Sequence, residues 1–505
     1  MSHTKSFFAI LTILFLIGQA STASPASVAP AQHFPLQSVD QDRIDAYIHS
    51  RMQTANIPGL ALGVVYGDQI VYLKGYGIAG PDGRAVTPQT PFILGSTSKS
   101  ITALAVMQLV EAGRIDLDAP VTRYLPWFRT SDAAASARIT VRNLLNQNSG
   151  LPTYEGRRGI ADNDQSDTAL ENGARELSGV QLSQPAGQSY EYANENYNLL
   201  GLIIQTVSGN SYEDYIRSAI FAPLQMSHSA AALSDRAATD LATGYRNWLF
   251  WTLPFDAPYP RRMTPAGFLI SSAEDMAHYL SAQLNGGTYG NHQILSSRGI
   301  DTLHTPGARI GPVSSYGMGW VIQGQAGSTK IWHAGDISNF HSNLLLLPEQ
   351  HIGIVILTNV GGFINSAMLN VQVEGVAAIL LGDSLTASTN PPSTATPQVM
   401  LLIASLIPIV WIVGSYLSIR RWQQRGELPL HGIRRLWRFY LPLAVDLGPM
   451  ILAWLIVPAQ FHTPMETIAL FAPDVFVVLL MLTALSLGWA LARSLLTLRP
   501  RRVIR

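Results

Sequence analysis

Ser96 and Lys99 stand three residues apart in Phe92-Ile93-Leu94-Gly95-Ser96-Thr97-Ser98-Lys99, at the entry to a run from Ser100 to Ala112 that is apolar nearly all round and closes at Gly113. An all-round apolar pattern predicts a buried helix, and the spacing puts both side chains on one face of its start. Burial disfavours a charged ammonium, so Lys99 could accept the proton of a nucleophilic Ser96. The helix N-terminus would add positive potential where an oxyanion develops. The same residues also fit a serine N-cap beside an exposed lysine. A second element is Tyr190-Glu191-Tyr192-Ala193-Asn194-Glu195-Asn196-Tyr197. In a loop before a helix, Tyr192 could shuttle a proton and Asn194 could orient the substrate or the lysine; aromatic packing is the plainer use. The third element, His333-Ala334-Gly335, ends a run from Ser328 to Trp332 that reads as an edge strand. Its backbone could bond an extended substrate by strand addition, with His333 either structural or part of the site.

In this order and at these separations the three elements resemble the serine β-lactamase and penicillin-binding-protein superfamily. The nearest branch is the class C β-lactamase-related serine hydrolases, which include D-alanyl-D-alanine carboxypeptidases, D-amino-acid peptidases and esterases. Tyr192-x-Asn194 stands where class A relatives have Ser-x-Asn, and His333-x-Gly335 stands for Lys-Thr-Gly. Further matches are Ile139-Thr140-Val141-Arg142-Asn143-Leu144-Leu145 leading to Ser149-Gly150-Leu151-Pro152, then Gly267 to Met276, Tyr316-Gly317-Met318-Gly319-Trp320 and Leu357-Thr358-Asn359. The resemblance covers about Asp40 to Gly382. It implies Ser96 as nucleophile, Lys99 and Tyr192 as the proton-transfer pair, Asn194 as the substrate-positioning amide, and an oxyanion hole from the backbone N–H of Ser96 and of Asp336. His333 and Gly335 join these as substrate-binding positions, with no cofactor and no metal ion. One departure matters: histidine in place of lysine is mostly neutral at pH 7, which weakens any preference for a substrate carboxylate.

The elements that must carry this site alternate strand-like runs such as Leu60 to Tyr66 with helical ones such as Ile101 to Glu111. The resemblance sharpens this to an α/β fold of α+β type, an antiparallel sheet flanked by helices with a helical subdomain, the site lying between them. This hydrolase domain is expected over residues 37–383, preceded by an export signal over 1–23 and followed by a Ser/Thr/Pro-rich linker over 384–398. Beyond it, residues 399–505 form a membrane tail with three apolar spans at about 399–419, 439–457 and 468–491. Only 13% of the chain is charged, which fits a part in lipid.

Arginines at 420, 421, 425, 434, 435 and 438 crowd the first connection, and Arg499, Arg501, Arg502 and Arg505 follow the third span. The positive-inside rule then places both in the cytoplasm and the hydrolase domain outside. From Gln398 onward the chain has eleven arginines, no lysine and four acidic residues, a net +7 against −7 for the rest. Balanced overall charge disfavours nucleic acid, and the absence of cysteine excludes disulfides and thiolate chemistry. Asp446, inside the second span, has no basic partner within the other expected spans and reads as a protonated side chain bonded to a neighbouring helix. Asp474 follows Pro473 and reads as a helix N-terminus near the interface. The aromatic segment Tyr245 to Arg262 reads as an apolar lid, a membrane contact or a buried loop. The expected partners are a small-molecule or peptide substrate, cell-envelope peptides included, and membrane lipid. A membrane-anchored extracytoplasmic serine hydrolase is the leading reading; a penicillin-binding sensory module with little turnover is the alternative.

Overall fold

The computed structural model describes residues 40–325, 328–363, 366–386, 395–425, 433 and 436–498. The expected export signal, the centre of the linker, part of the arginine-rich first connection and the arginines after the third span lie outside the described residues.

The chain enters through α1 (Gln41–Ala55), whose start is capped by the Asp40 carboxylate accepting the Arg43 N–H. The hairpin β1 (Gly59–Tyr66) and β2 (Gln69–Gly77) follows, then α2 (Ser98–Glu111). A helical region contains α3 (Thr153–Arg158) and α4 (Asn194–Ser208). A hairpin of β3 (Tyr245–Trp248) and β4 (Trp251–Pro254) precedes α5 (Ala273–Leu284). Six strands then run in succession: β5 (Ala308–Arg309), β6 (Ser314–Gly317), β7 (Trp320–Gln325), β8 (Ser328–Asp336), β9 (His341–Leu347) and β10 (Ile352–Thr358), before α6 (Gln372–Leu380).

Eight strands form one antiparallel sheet in the order β2-β1-β10-β9-β8-β7-β6-β5. Its central strands are buried on both faces, and their side chains divide with the period of two that the pleat imposes. Leu60, Leu62 and Val64 of β1 and Ile352, Ile354 and Ile356 of β10 pack with Ile44 and Ile48 of α1 and Val376 of α6. Ala61, Val65, Val355 and Leu357 face the opposite way, into the core shared with α2, α4 and α5. The sheet thus carries two separate apolar layers, as the α+β reading expected.

Strand β8 is not an edge strand. It lies between β7 and β9, but β7 pairs with it only as far as Trp332, whereas β9 continues to Asp336. The stretch from His333 to Asp336 therefore has one free side. Composition cannot distinguish an edge strand from an interior strand whose neighbour is shorter.

The tail contains α7 (Ala395–Gln424), α8 (Leu441–Phe461), α9 (Met465–Phe471) and α10 (Pro473–Leu498). Leu441–Phe461 and Pro473–Thr497 are each long and apolar enough to cross a membrane. The first expected span falls within α7. The third does not start at 468: α9 stops at Ala472, whose φ of −142° and ψ of 65° are not helical. Proline 473 disfavours a helical residue before it and suits the first position of a new helix. The reading of Asp446 also changes. Helix α10 runs past Leu491, so Arg493 Nε comes within 2.8 Å of Asp446 Oδ2, and Trp411 Nε1 donates to Asp446 Oδ1 at 2.7 Å. Ending the span at 491 had hidden the basic partner.

Candidate active site

The nucleophile turn is built where two short segments, Phe92–Ile93 and Ile270–Ser271, pair antiparallel. The Leu94 N–H then bonds Leu269 O at 2.8 Å, and Gly95 turns the chain with a φ of +56°. Side chains that return to the preceding backbone lock the turn: Thr97 Oγ1 donates to Leu94 O at 2.9 Å and Ser98 Oγ to Gly95 O at 2.8 Å. From Pro91 through Met107 every residue is buried except Ser96. One hydroxyl, at the head of a buried helix, is left reachable.

Lys99 is wholly buried one turn on. Its Nζ lies 3.1 Å from Ser96 Oγ, 2.8 Å from Asn194 Oδ1 and 2.5 Å from Ala266 O. A hydroxyl, an amide oxygen and a backbone carbonyl are all uncharged, and burial holds the Lys99 pKa well below the ordinary lysine value. A neutral amine has two N–H groups and one lone pair. The amide and the carbonyl take the two N–H groups, leaving the lone pair for the Ser96 proton.

Tyr192 and Asn194 sit on a loop held by the segment after Leu145. Gln147, with a φ of +55°, receives the Glu191 N–H on its backbone oxygen at 2.8 Å and the Ala193 N–H on its Oε1 at 2.9 Å. The side chain of Asn194, the first residue of α4, bridges two elements: Oδ1 accepts from Lys99, and Nδ2 donates to Gly156 O at 2.7 Å. Tyr192 lies with its ring 4.8 Å from Lys99 Nζ. Its phenol hydrogen-bonds to Ser96, and burial raises its pKa above the ordinary tyrosine value. Lysine and tyrosine are thus pushed in opposite directions, each toward its neutral form.

Strand β8 closes the other side. An added Cβ on Gly335 would lie 2.1 Å from Leu94 O and 2.8 Å from Ser96 N, and one on Gly95 would lie 2.8 Å from Asp336 N. Only two glycines allow the strand and the nucleophile turn to touch. The Ile337 N–H bonds Phe340 O across the hairpin to β9, so the alternation of an antiparallel ladder turns the Asp336 N–H to the side that β7 leaves open. The Asp336 carboxylate is engaged elsewhere, accepting His341 Nδ1–H at 2.7 Å and the Ser366 hydroxyl at 2.9 Å.

His333 is 5% exposed, and both ring nitrogens are used within the protein. Nδ1 donates to Ala334 O at 2.6 Å, which fixes the tautomer and leaves Nε2 to accept from Tyr316 Oη at 3.1 Å. Burial and the neighbouring Lys99 push its pKa down to about 3. Its ring lies 6.3 Å from that of Tyr192. His333, expected among the substrate-binding positions, hydrogen-bonds Tyr316 and stands beside Tyr192. Tyr316 and the carbonyl of Ala266 are the contributors that sequence reasoning missed. Tyr316 stood in a segment matched for the resemblance, without a role, and a backbone carbonyl has no residue-type signal.

The aromatic segment divides. Tyr245 and Tyr259 are buried at the stem, whereas Phe250, Trp251 and Leu253 at the hairpin tip are exposed. A cavity of about 420 Å³ between Ile93, Phe255, Tyr259 and Phe340 lies beside this hairpin and does not include Ser96.

Protein flp of Staphylococcus aureus (strain N315) is 27% identical over 482 residues, covering 89% of this chain and 93% of that protein. Unguisins hydrolase ungD' of Aspergillus campestris is 30% identical over 338 residues, 64% of this chain and 62% of its own. Among solved structures, the octameric penicillin-binding protein homologue from Pyrococcus abyssi matches with a TM-score of 0.58 and 28% identity over 68% of this chain and 78% of that one. The beta-lactamase family model matches residues 44–374, which contain the Ser96 turn, the Tyr192 loop and strand β8, and the chain belongs to that family.

Proposed function

We propose that the protein is a membrane-anchored, extracytoplasmic serine hydrolase that works through an acyl-enzyme at Ser96. Ser96 Oγ attacks the carbonyl carbon of an ester or amide while its proton passes to the neutral Lys99 amine. The negative charge that develops on the carbonyl oxygen is met by the backbone N–H groups of Ser96 and Asp336. The tetrahedral adduct then expels the leaving group, to which the protonated Tyr192 phenol gives a proton, replenished from Lys99. Water attacks the ester on Ser96 in the second half-reaction, giving up its proton along the same path and freeing the acid product.

The observation that carries this reading is the buried Lys99, 3.1 Å from the reachable Ser96 hydroxyl and bonded only to neutral partners. Small acyl esters and neutral amides fit best. At the third motif no permanent cation faces the site to receive a carboxylate, because His333 stands there and burial holds it neutral, while the lysine of β8, Lys330, is paired with Glu374. A relative named as a hydrolase agrees with turnover. Anchoring is supported by the apolar helices α8 and α10. The Leu249 N–H bonds the Asp474 carboxylate at the start of α10, which puts the exposed apolar hairpin tip beside the end of that helix and favours the membrane-contact reading of the segment.

The test is a substrate profile of the full chain in detergent against a nitrophenyl ester, a D-Ala-D-Ala peptide and a cephalosporin. Steady hydrolysis of the neutral ester is expected. Labelling by a fluorescent penicillin without release, and no turnover of any of the three, would instead make the protein an acylated sensor.

A further inference from the structure

We propose that the connection between α8 and α10, residues 461–474, is a working part of the active-site wall, so that the membrane tail positions the catalytic groups as well as holding the domain. This rests on the reading of Lys99 as the base.

The connection is packed against the domain: Thr463, Thr467, Ile468 and Phe471 are all buried. Arg157, in α3, donates from Nη1 to Phe461 O and to Thr463 Oγ1, each at 2.5 Å. Thr467 Oγ1 donates back to the Arg157 carbonyl at 2.9 Å. The guanidinium lies 5.6 Å from the Phe363 ring, which stacks on Phe471 at 4.6 Å, and the Phe363 N–H bonds Phe471 O at 3.2 Å. Both the side chain and the backbone of Arg157 are therefore held by the tail.

The neighbour of Arg157 is what connects this contact to chemistry. Gly156 O receives Asn194 Nδ2, and Asn194 Oδ1 receives Lys99 Nζ. An added Cβ on Gly156 would fall 2.4 Å from Asn194 N, so α3 sits hard against the start of α4. If α3 shifts, the Asn194 amide loses its aim and the Lys99 amine loses an acceptor and its dry surroundings. Coupling thus runs through the connection between the two apolar helices and needs no stiffness in the Ser/Thr/Pro linker.

The experiment uses the full chain in nanodiscs with Thr467→Val, which keeps the shape and removes the hydroxyl, Thr467→Ser, which restores it, and Arg157→Gln. For nitrophenyl ester hydrolysis, Thr467→Val should lower kcat about three- to tenfold, the worth of one hydrogen bond, with KM within about twofold. Its acid limb should move to higher pH, because a better hydrated Lys99 is easier to protonate. Thr467→Ser should recover wild-type kcat and pH profile, and Arg157→Gln should exceed Thr467→Val in both effects. Unchanged kcat and an unchanged acid limb in both Thr467→Val and Arg157→Gln would overturn the proposal. Hydrogen exchange at Thr153–Arg158 separates this from the chemistry: faster exchange in Thr467→Val is expected even if Ser96 proves not to be the nucleophile, and unchanged exchange counts against the bracing. A Ser96→Ala variant as active as wild type would overturn the reading of the site on its own.

Discussion

At the scale of single residues the proposed chemistry rests on Lys99 and Tyr192, because the same burial drives one pKa down and the other up. The proposed mechanism requires neutral Lys99, so kcat/KM should rise with pH through a limb whose midpoint lies well below the ordinary lysine value of 10.5. Ser96→Ala and Lys99→Ala should each remove nearly all turnover, and the double variant should be little worse than either. Multiplicative losses would mean that the two act independently. His333 gives a second residue-scale outcome. Neutral above about pH 3, it should confer no change in KM near pH 6.5 for an acidic peptide, and His333→Gln should retain measurable activity on neutral esters. A steep acid-side gain in affinity that His333→Gln abolishes would instead make the imidazolium a carboxylate receptor. Residue types at fixed spacing singled out Ser96, Lys99, Tyr192 and Asn194, and the structure brings the four together. The partners that complete them were not legible in the sequence, because Ala266 O and Gly156 O are backbone atoms brought in from 167 and 38 residues away.

Element geometry decides whether two N–H groups can meet one oxygen. The contact of β8 with the nucleophile turn depends on Gly95 and Gly335, and Gly335→Ala would drive a methyl group into Leu94 O and toward Ser96 N. The expected result is a fall in kcat of about a hundredfold, the size of one lost oxyanion donor, measured on protein that still folds by circular dichroism. Full activity would place the oxyanion elsewhere. The position of β8 in the sheet was not readable in advance, since its free side arises only because β7 stops opposite Trp332. The helix break at Ala472–Pro473 was readable in principle. Hydropathy alone ran across it, merging the buried α9 with the long apolar α10.

For the whole molecule, the family domain was legible because separated segments kept their order, and the two long apolar helices of the tail because apolar length has direct physical meaning. The docking of residues 461–474 on α3 was invisible, since it relies on backbone acceptors and on residues more than 300 positions apart. The expected three spans would put the two ends of the tail on opposite sides. A reporter fused after Arg505 should therefore read as cytoplasmic and one inserted at Asn390 as external. Both on one side would require an even number of crossings.

The most direct measurement of the central claim is mass spectrometry of the intact chain after brief exposure to a slowly released acylating ester, followed by peptide mapping. The account predicts one added acyl group on Ser96, absent in Ser96→Ala and formed far more slowly in Lys99→Ala. An acyl group on any other residue, or hydrolysis by Ser96→Ala at the wild-type rate, would contradict it.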